Sequence, residues 1–88
     1  MKVNNSIQFH IDFPKYQIYS DGRIWSNITN KFLKPQKIVY IIDGYGIRRK
    51  RRVHKLVIEV FEGLCSHMRV KHKDNNKNNN HIDNLEYV

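Results

Sequence analysis

The sequence predicts an α+β fold, a small single domain of β-hairpins around one central helix. Three observations predict it. Asp-Gly pairs at 21–22 and 43–44 each lie between short runs rich in Ile, Tyr and Val, the pattern of a hairpin. Between residues 53 and 61 the apolar spacing changes from two to three and four, which is the period of a helix. The chain has 88 residues, enough for one thin core and too few for a two-domain enzyme.

The elements follow in order. The first hairpin sets residues 16–20 against 23–26, with Ile18, Ile24 and Trp25 as candidates for its buried face. The second sets 38–42 against 45–47. In both, Asp-Gly is expected to form the centre of a type I′ turn, where two residues take positive φ. Pro35 lacks an amide hydrogen and breaks regular structure between the hairpins. Val53, Leu56, Val57, Val60 and Phe61 share one face of a helix over 54–62, expected to close the core. Gly63 follows at the left-handed position that commonly ends a helix. A strand over 68–72, a long polar turn and a strand over 85–88 complete the chain. Tyr16, Tyr19, Trp25, Tyr40 and Tyr45 are interleaved with basic residues, which suits stacking on bases. In so small a domain Trp25 and Tyr40 are assigned to the core instead.

Charge narrows the function. Lys and Arg number 16 against 8 Asp and Glu, a net charge of +8, so the field favours a polyanion, nucleic acid first. The cations cluster as Arg48, Arg49, Lys50, Arg51, Arg52 and Lys55, and again as Arg69, Lys71, Lys73 and Lys77. The first run also reads as a nuclear-localisation signal or a solvated strand end. The Asn-rich stretch around Lys77 also reads as compositional bias. Cys65 is the only cysteine, which excludes an intrachain disulfide and points to a reducing, intracellular location, cytoplasm or nucleoid/nucleus of a host cell. No apolar run approaches the ~18 residues of a membrane span, and no secretory apolar segment opens the chain, so no membrane partner is expected.

The last nineteen residues carry the chemistry. Their skeleton is His72, then Asp74, the paired Asn79 and Asn80, and finally Asn84-Leu85-Glu86. This skeleton resembles the HNH homing endonucleases, small members of the His-Me finger superfamily found in introns and in phage or viral genomes. Val53-His54-Lys55-Leu56-Val57 with Val60-Phe61 looks like the helix that precedes the finger. Residues 13–26 and Phe32-Leu33-Lys34-Pro35 look like the DNA-binding module that often comes before it. The resemblance implies three segments: an N-terminal strand or tail over 1–12, a module-like hairpin over 13–35, and an HNH-like region over 36–88. In that region a hairpin and the 54–62 helix precede an incomplete ββα-metal finger over 68–88.

The resemblance also implies roles. His72 is the counterpart of the general base, a task that neutral imidazole suits at cellular pH. Asn84 is the counterpart of the middle Asn, which fixes the finger loop or orients the histidine. Asn75 stands where relatives have Gly, and Asn tolerates positive φ best among the other residues. An active member would use Mg²⁺ or another divalent cation on the leaving oxygen. Double-stranded DNA would be the partner, with the two basic clusters on its phosphates. A homodimer or a protein partner stays open.

Two departures cut against catalysis. Relatives carry Asp or Asn just before the base as a metal ligand, and here that position is Lys71. Relatives also continue into a helix bearing a second ligand about nine residues past the Asn, and the expectation is therefore a C-terminally truncated finger. Asp74, His81 and Asp83 are the alternative metal ligands. Cys65, His67, His72 and His81 fit no common zinc spacing, and His54 is read as capping or packing the helix start. The expected function is a DNA-binding protein impaired in catalysis. The alternatives are an active metal-dependent endonuclease using His72, or a viral or phage effector that occupies a host protein's DNA-binding groove. The net positive charge counts against the effector, since such mimics are usually acidic.

Overall fold

A computed structural model describes residues 6–65 and 67–88. The first five residues of the N-terminal tail segment lie outside the described residues. Strands β1 (Ile7–His10), β2 (Phe13–Tyr19), β3 (Ile24–Ser26) and β4 (Lys31–Phe32) form one antiparallel meander in chain order. The pleat puts Tyr16, Ile18, Ile24 and Ser26 on the buried face. Tyr19, Trp25 and Phe32 meet on the opposite face, with ring centroids 5.0–5.3 Å apart. Trp25 is thus half-buried against Phe32 rather than part of the core.

β5 (Ile38–Ile42) and β6 (Arg48–Arg52) make a separate two-stranded ribbon, followed directly by α1 (Val53–Glu62). β7 (Val70–His72) and β8 (Leu85–Tyr87) pair as the last hairpin. The α+β class is as predicted; β1 falls in the segment expected to be a strand or tail, and β4 is a strand that alternation alone did not reveal.

Both Asp-Gly turns differ from type I′. In the first, Gly22 N–H donates to the Tyr19 carbonyl and Tyr19 N–H to the Arg23 carbonyl, each at 2.9 Å. In the second, Gly46 N–H donates to the Asp43 carbonyl at 3.0 Å and Asp43 N–H to the Ile47 carbonyl at 2.9 Å. Each is a three-residue loop in which only the closing glycine takes positive φ, +97° at Gly22 and +82° at Gly46. The second strand of the ribbon accordingly starts beyond Tyr45 and Gly46. Its turn is held by the Asp43 carboxylate, which accepts from Tyr45 N–H and Ile47 N–H at 2.9 Å and from Arg49 Nε at 3.0 Å. The Ile47 hydrogen bond, with Arg49 and Tyr45 and against the cost of burial, lowers the Asp43 pKa.

The helix buries Val53, Leu56, Val57 and Ile58, while Val60 and Phe61 are only half-buried. The expected stripe is therefore rotated toward Ile58. The reason is that α1 packs against β1, β2 and β6 and also against β7 and β8. Gly63 N–H reaches the Glu59 carbonyl at 3.1 Å, with φ +93° and ψ 160°, outside the left-handed helical region. Phe13, Ile18, Ile41, Leu56, Val57 and Ile58 are the largest fully buried side chains. Tyr40, assigned to the core as a strand aromatic in a small domain, is 55% exposed, because pleating turns it away from its buried neighbours Val39 and Ile41.

Polar links also join these layers. Ile42 N–H donates to the Tyr16 hydroxyl at 3.1 Å, tying the ribbon to the sheet. Glu59 Oε1 on α1 receives His10 Nε2 at 2.7 Å and Arg51 at 2.6 Å, so β1, β6 and the helix converge on one carboxylate. His10 Nδ1 accepts Asp12 N–H at 3.0 Å, which leaves Nε2 as the protonated nitrogen facing Glu59. Among the described residues no helix is long and apolar enough to cross a membrane.

Candidate nucleic-acid interface and finger

The ribbon sorts its cations by face. Val39 pairs with Arg51 and Ile41 with Arg49, so these two arginines share the buried side of the ribbon. Arg51 reaches Glu59, and Arg49 binds Asp43. The Arg51 side chain is 24% exposed and its guanidinium lies 5.5 Å from the Phe13 ring, so it is built into the fold. Arg48, Lys50 and Arg52 lie opposite Ile42, Tyr40 and Ile38 on the outward side. All three are exposed, and Arg48 sits 4.7 Å over the Tyr40 ring. Lys55 is half-buried on the first turn of the helix. Arg69, Lys71, Lys73 and Lys77 are exposed along the last hairpin and its loop.

The finger loop is stapled by amides. Asn84 Nδ2 donates to Asp74 Oδ1 and to the Asn79 carbonyl, both at 2.9 Å, and Asn84 Oδ1 accepts Asp74 N–H at 3.1 Å. Asp74 also accepts Asn76 N–H at 2.8 Å and Asn79 Nδ2 at 3.0 Å. The bond from Asn79, with those from Asn76 and Asn84, lowers the Asp74 pKa. Asn75 takes φ +62°, the left-handed conformation that asparagine tolerates best after glycine.

His72 ends β7 opposite Leu85, and Lys71 faces Glu86 in the same ladder. Successive strand residues point to opposite sides, so the ammonium and the imidazole leave β7 in opposite directions. His72 Nε2 lies 2.9 Å from Asn80 Oδ1. Its ring centroid is 5.1 Å from that of His54. Burial, together with the positive charge of His72, Arg52 and Lys55, pushes the His54 pKa down to about 4. His54 therefore packs on His72 and stays neutral at cellular pH; the N-terminus of the helix has no side-chain cap. The sequence skeleton singled out the Asn pair, yet only the fold reveals that Asn80 reaches the histidine ring.

These residues do not fit a metal centre. An ammonium such as Lys71 cannot ligate a cation. Both carboxylate oxygens of Asp74 are engaged in loop hydrogen bonds. His81 Nδ1 accepts Asp83 N–H at 3.1 Å and lies 3.6 Å from the Asp83 carboxylate. Among the described residues no group of three or more His, Cys, Asp or Glu is placed to hold a metal ion. Cys65 Sγ lies 3.8 Å from His67, but His72 and His81 do not join them in such a group.

No family model matches the chain. Two uncharacterized HNH endonucleases of Acanthamoeba polyphaga mimivirus are each 36% identical to it, over 84 and 78 residues. Those matches cover 88% and 82% of this chain but 21% and 24% of the relatives, so the chain spans about a quarter of their length or less. A solved structure described as DNA binding and cleavage by the HNH homing endonuclease I-HmuI superposes with a TM-score of 0.73 at 35% identity. It covers 83% of this chain, which in turn covers 45% of that one.

Proposed function

Because the chain belongs to the HNH homing endonuclease family, we propose that its 88 residues bind duplex DNA and do not by themselves cut it. One observation carries the binding half. The β5–β6 ribbon spends Arg49 and Arg51 on internal carboxylates and turns Arg48, Lys50 and Arg52 outward together. A two-stranded ribbon fits the major groove of B-DNA, and cations along its exposed face reach phosphates.

Binding is expected to be strongly salt-dependent. If the ribbon and the finger loop neutralise about six phosphates, log K falls with log[salt] at a slope of about −5. Replacing Arg48, Lys50 and Arg52 together with Ala is expected to flatten that slope by about 3 and weaken all sequences alike. Fluorescence anisotropy of a labelled duplex across a salt series checks this. Salt-independent affinity, or none at low salt, would sink the DNA reading.

The cutting half rests on the finger. A general base contributes only about 10²–10⁴-fold, and in this family most of the remaining acceleration would come from a cation on the phosphate. Lys71 occupies the expected ligand position, and Asp74 is committed to the loop. The expected result with supercoiled plasmid is binding that survives EDTA and no nicking that depends on His72, in Mg²⁺ or Mn²⁺. Metal-dependent nicking by the pure chain, abolished by His72→Ala, would replace this reading with an active endonuclease. One observation favours that alternative: the His72 ring is held in place by Asn80 and His54.

A further inference from the structure

The residues that hold His72, and the turn that supports one of them, come from three separate parts of the chain. Asn84, the motif asparagine, places its side-chain hydrogen bonds on Asp74 and Asn79. The imidazole is met instead by Asn80 at 2.9 Å and by the His54 ring at 5.1 Å. Asn80 in turn is seated on the first sheet. A Cβ at position 22 would lie 2.8 Å from Asn80 Cβ, 3.2 Å from its carbonyl oxygen and 3.3 Å from its carbonyl carbon. Gly22 also has φ +97°, so the turn needs glycine for both its backbone and its contact with the finger. Two residues on, Ile82 N–H donates to the Ser20 carbonyl at 2.7 Å. The turn over 20–22 and the loop over 80–82 are thus docked backbone to backbone.

We propose that Asn80 is a positioning residue that fixes His72 as the tautomer protonated on Nε2, with Nδ1 left as its proton-accepting nitrogen. The Gly22 turn of the first sheet holds Asn80 in register. The chemistry follows from the donor inventory. An amide oxygen only accepts, so the nitrogen facing Asn80 Oδ1 carries the hydrogen and the other keeps its lone pair. A neutral histidine without such a partner samples both tautomers. The inference rests on reading His72 as the counterpart of the family's base, because that role is what gives the free nitrogen its meaning.

Long-range ¹H–¹⁵N correlation spectra of the labelled full chain, recorded above pH 7 without DNA, test it directly. Wild type is expected to show His72 in the single Nε2–H form. Asn80→Ala is expected to lose that form to a mixture of tautomers, and Asn80→Asp, which keeps an acceptor oxygen, to restore it. Gly22→Ala is expected to reproduce the Asn80→Ala spectrum at His72. His10 is the internal control, since its Nε2–H is set by Glu59 and Asp12 and is expected to stay unchanged. If Gly22→Ala does not fold, the two Asn80 variants still decide the main claim. A tautomer mixture in wild type, or an Asn80→Ala spectrum identical to wild type, overturns it. The readout needs no DNA, so a failed binding experiment would refute the proposed function without touching this result.

Discussion

Leu56→Ala is expected to destabilise the chain by about 3–5 kcal/mol, a large part of the 5–10 or so that a domain of this size has. Leu56 is fully buried on a helix that packs against both the first sheet and the last hairpin, so its removal leaves a cavity inside the core. Ile58→Ala is expected to cost a similar amount for the same reason. Phe61→Ala is expected to cost only about 1 kcal/mol, because its ring is half-buried and its loss opens to solvent rather than to a void. Urea denaturation checks the order: the midpoint falls steeply for the first two and little for the third, with the m-value unchanged. Equal losses at Leu56 and Phe61 would mean that the helix is rotated from the orientation described above.

Glu59→Ala is expected to cost about 3 kcal/mol through a different mechanism. Glu59 is 15% exposed and is the common acceptor for His10, which is 2% exposed, and for Arg51. Removing it strands a buried N–H donor and a largely covered guanidinium, and leaving one charge of a buried pair uncompensated is what makes such changes expensive. The same carboxylate gives the fold a pH dependence. Burial opposes its charge, but the hydrogen bonds from His10 and Arg51 and the positive charge of Arg51 outweigh burial and hold its pKa below the ordinary 4.5. A lowered folded pKa means that this stabilisation is complete above 4.5 and drains away as pH falls through the folded value. Wild type is therefore expected to lose stability on acidification below that range, and Glu59→Gln to lose less over the same interval. Parallel acid profiles for the two proteins would remove Glu59 from this role.

The sequence by itself determined the class of fold, the position of the helix and the order of the hairpins. These rest on local chemistry: apolar period, turn residues and the punctuation of Pro35 need no knowledge of distant neighbours. The motif skeleton from His72 to Asn84 was legible for the same reason, and Asn75 does take the positive φ that its place in that skeleton implies. What only the tertiary structure decided was which side of each element meets what. The helix face turned toward Ile58 because α1 packs on two layers, whereas a one-sided period assumes one. Tyr40 went outward and Arg51 inward because pleating gives neighbours opposite faces, and an internal carboxylate was waiting for the arginine. A run of five basic residues reads as one patch in sequence, yet the pleat divides it into structural and outward cations. Asn80 and His54 joined His72 across separations of 8 and 18 positions, contacts that no local spacing encodes because they depend on where the Gly22 turn lets the finger loop settle.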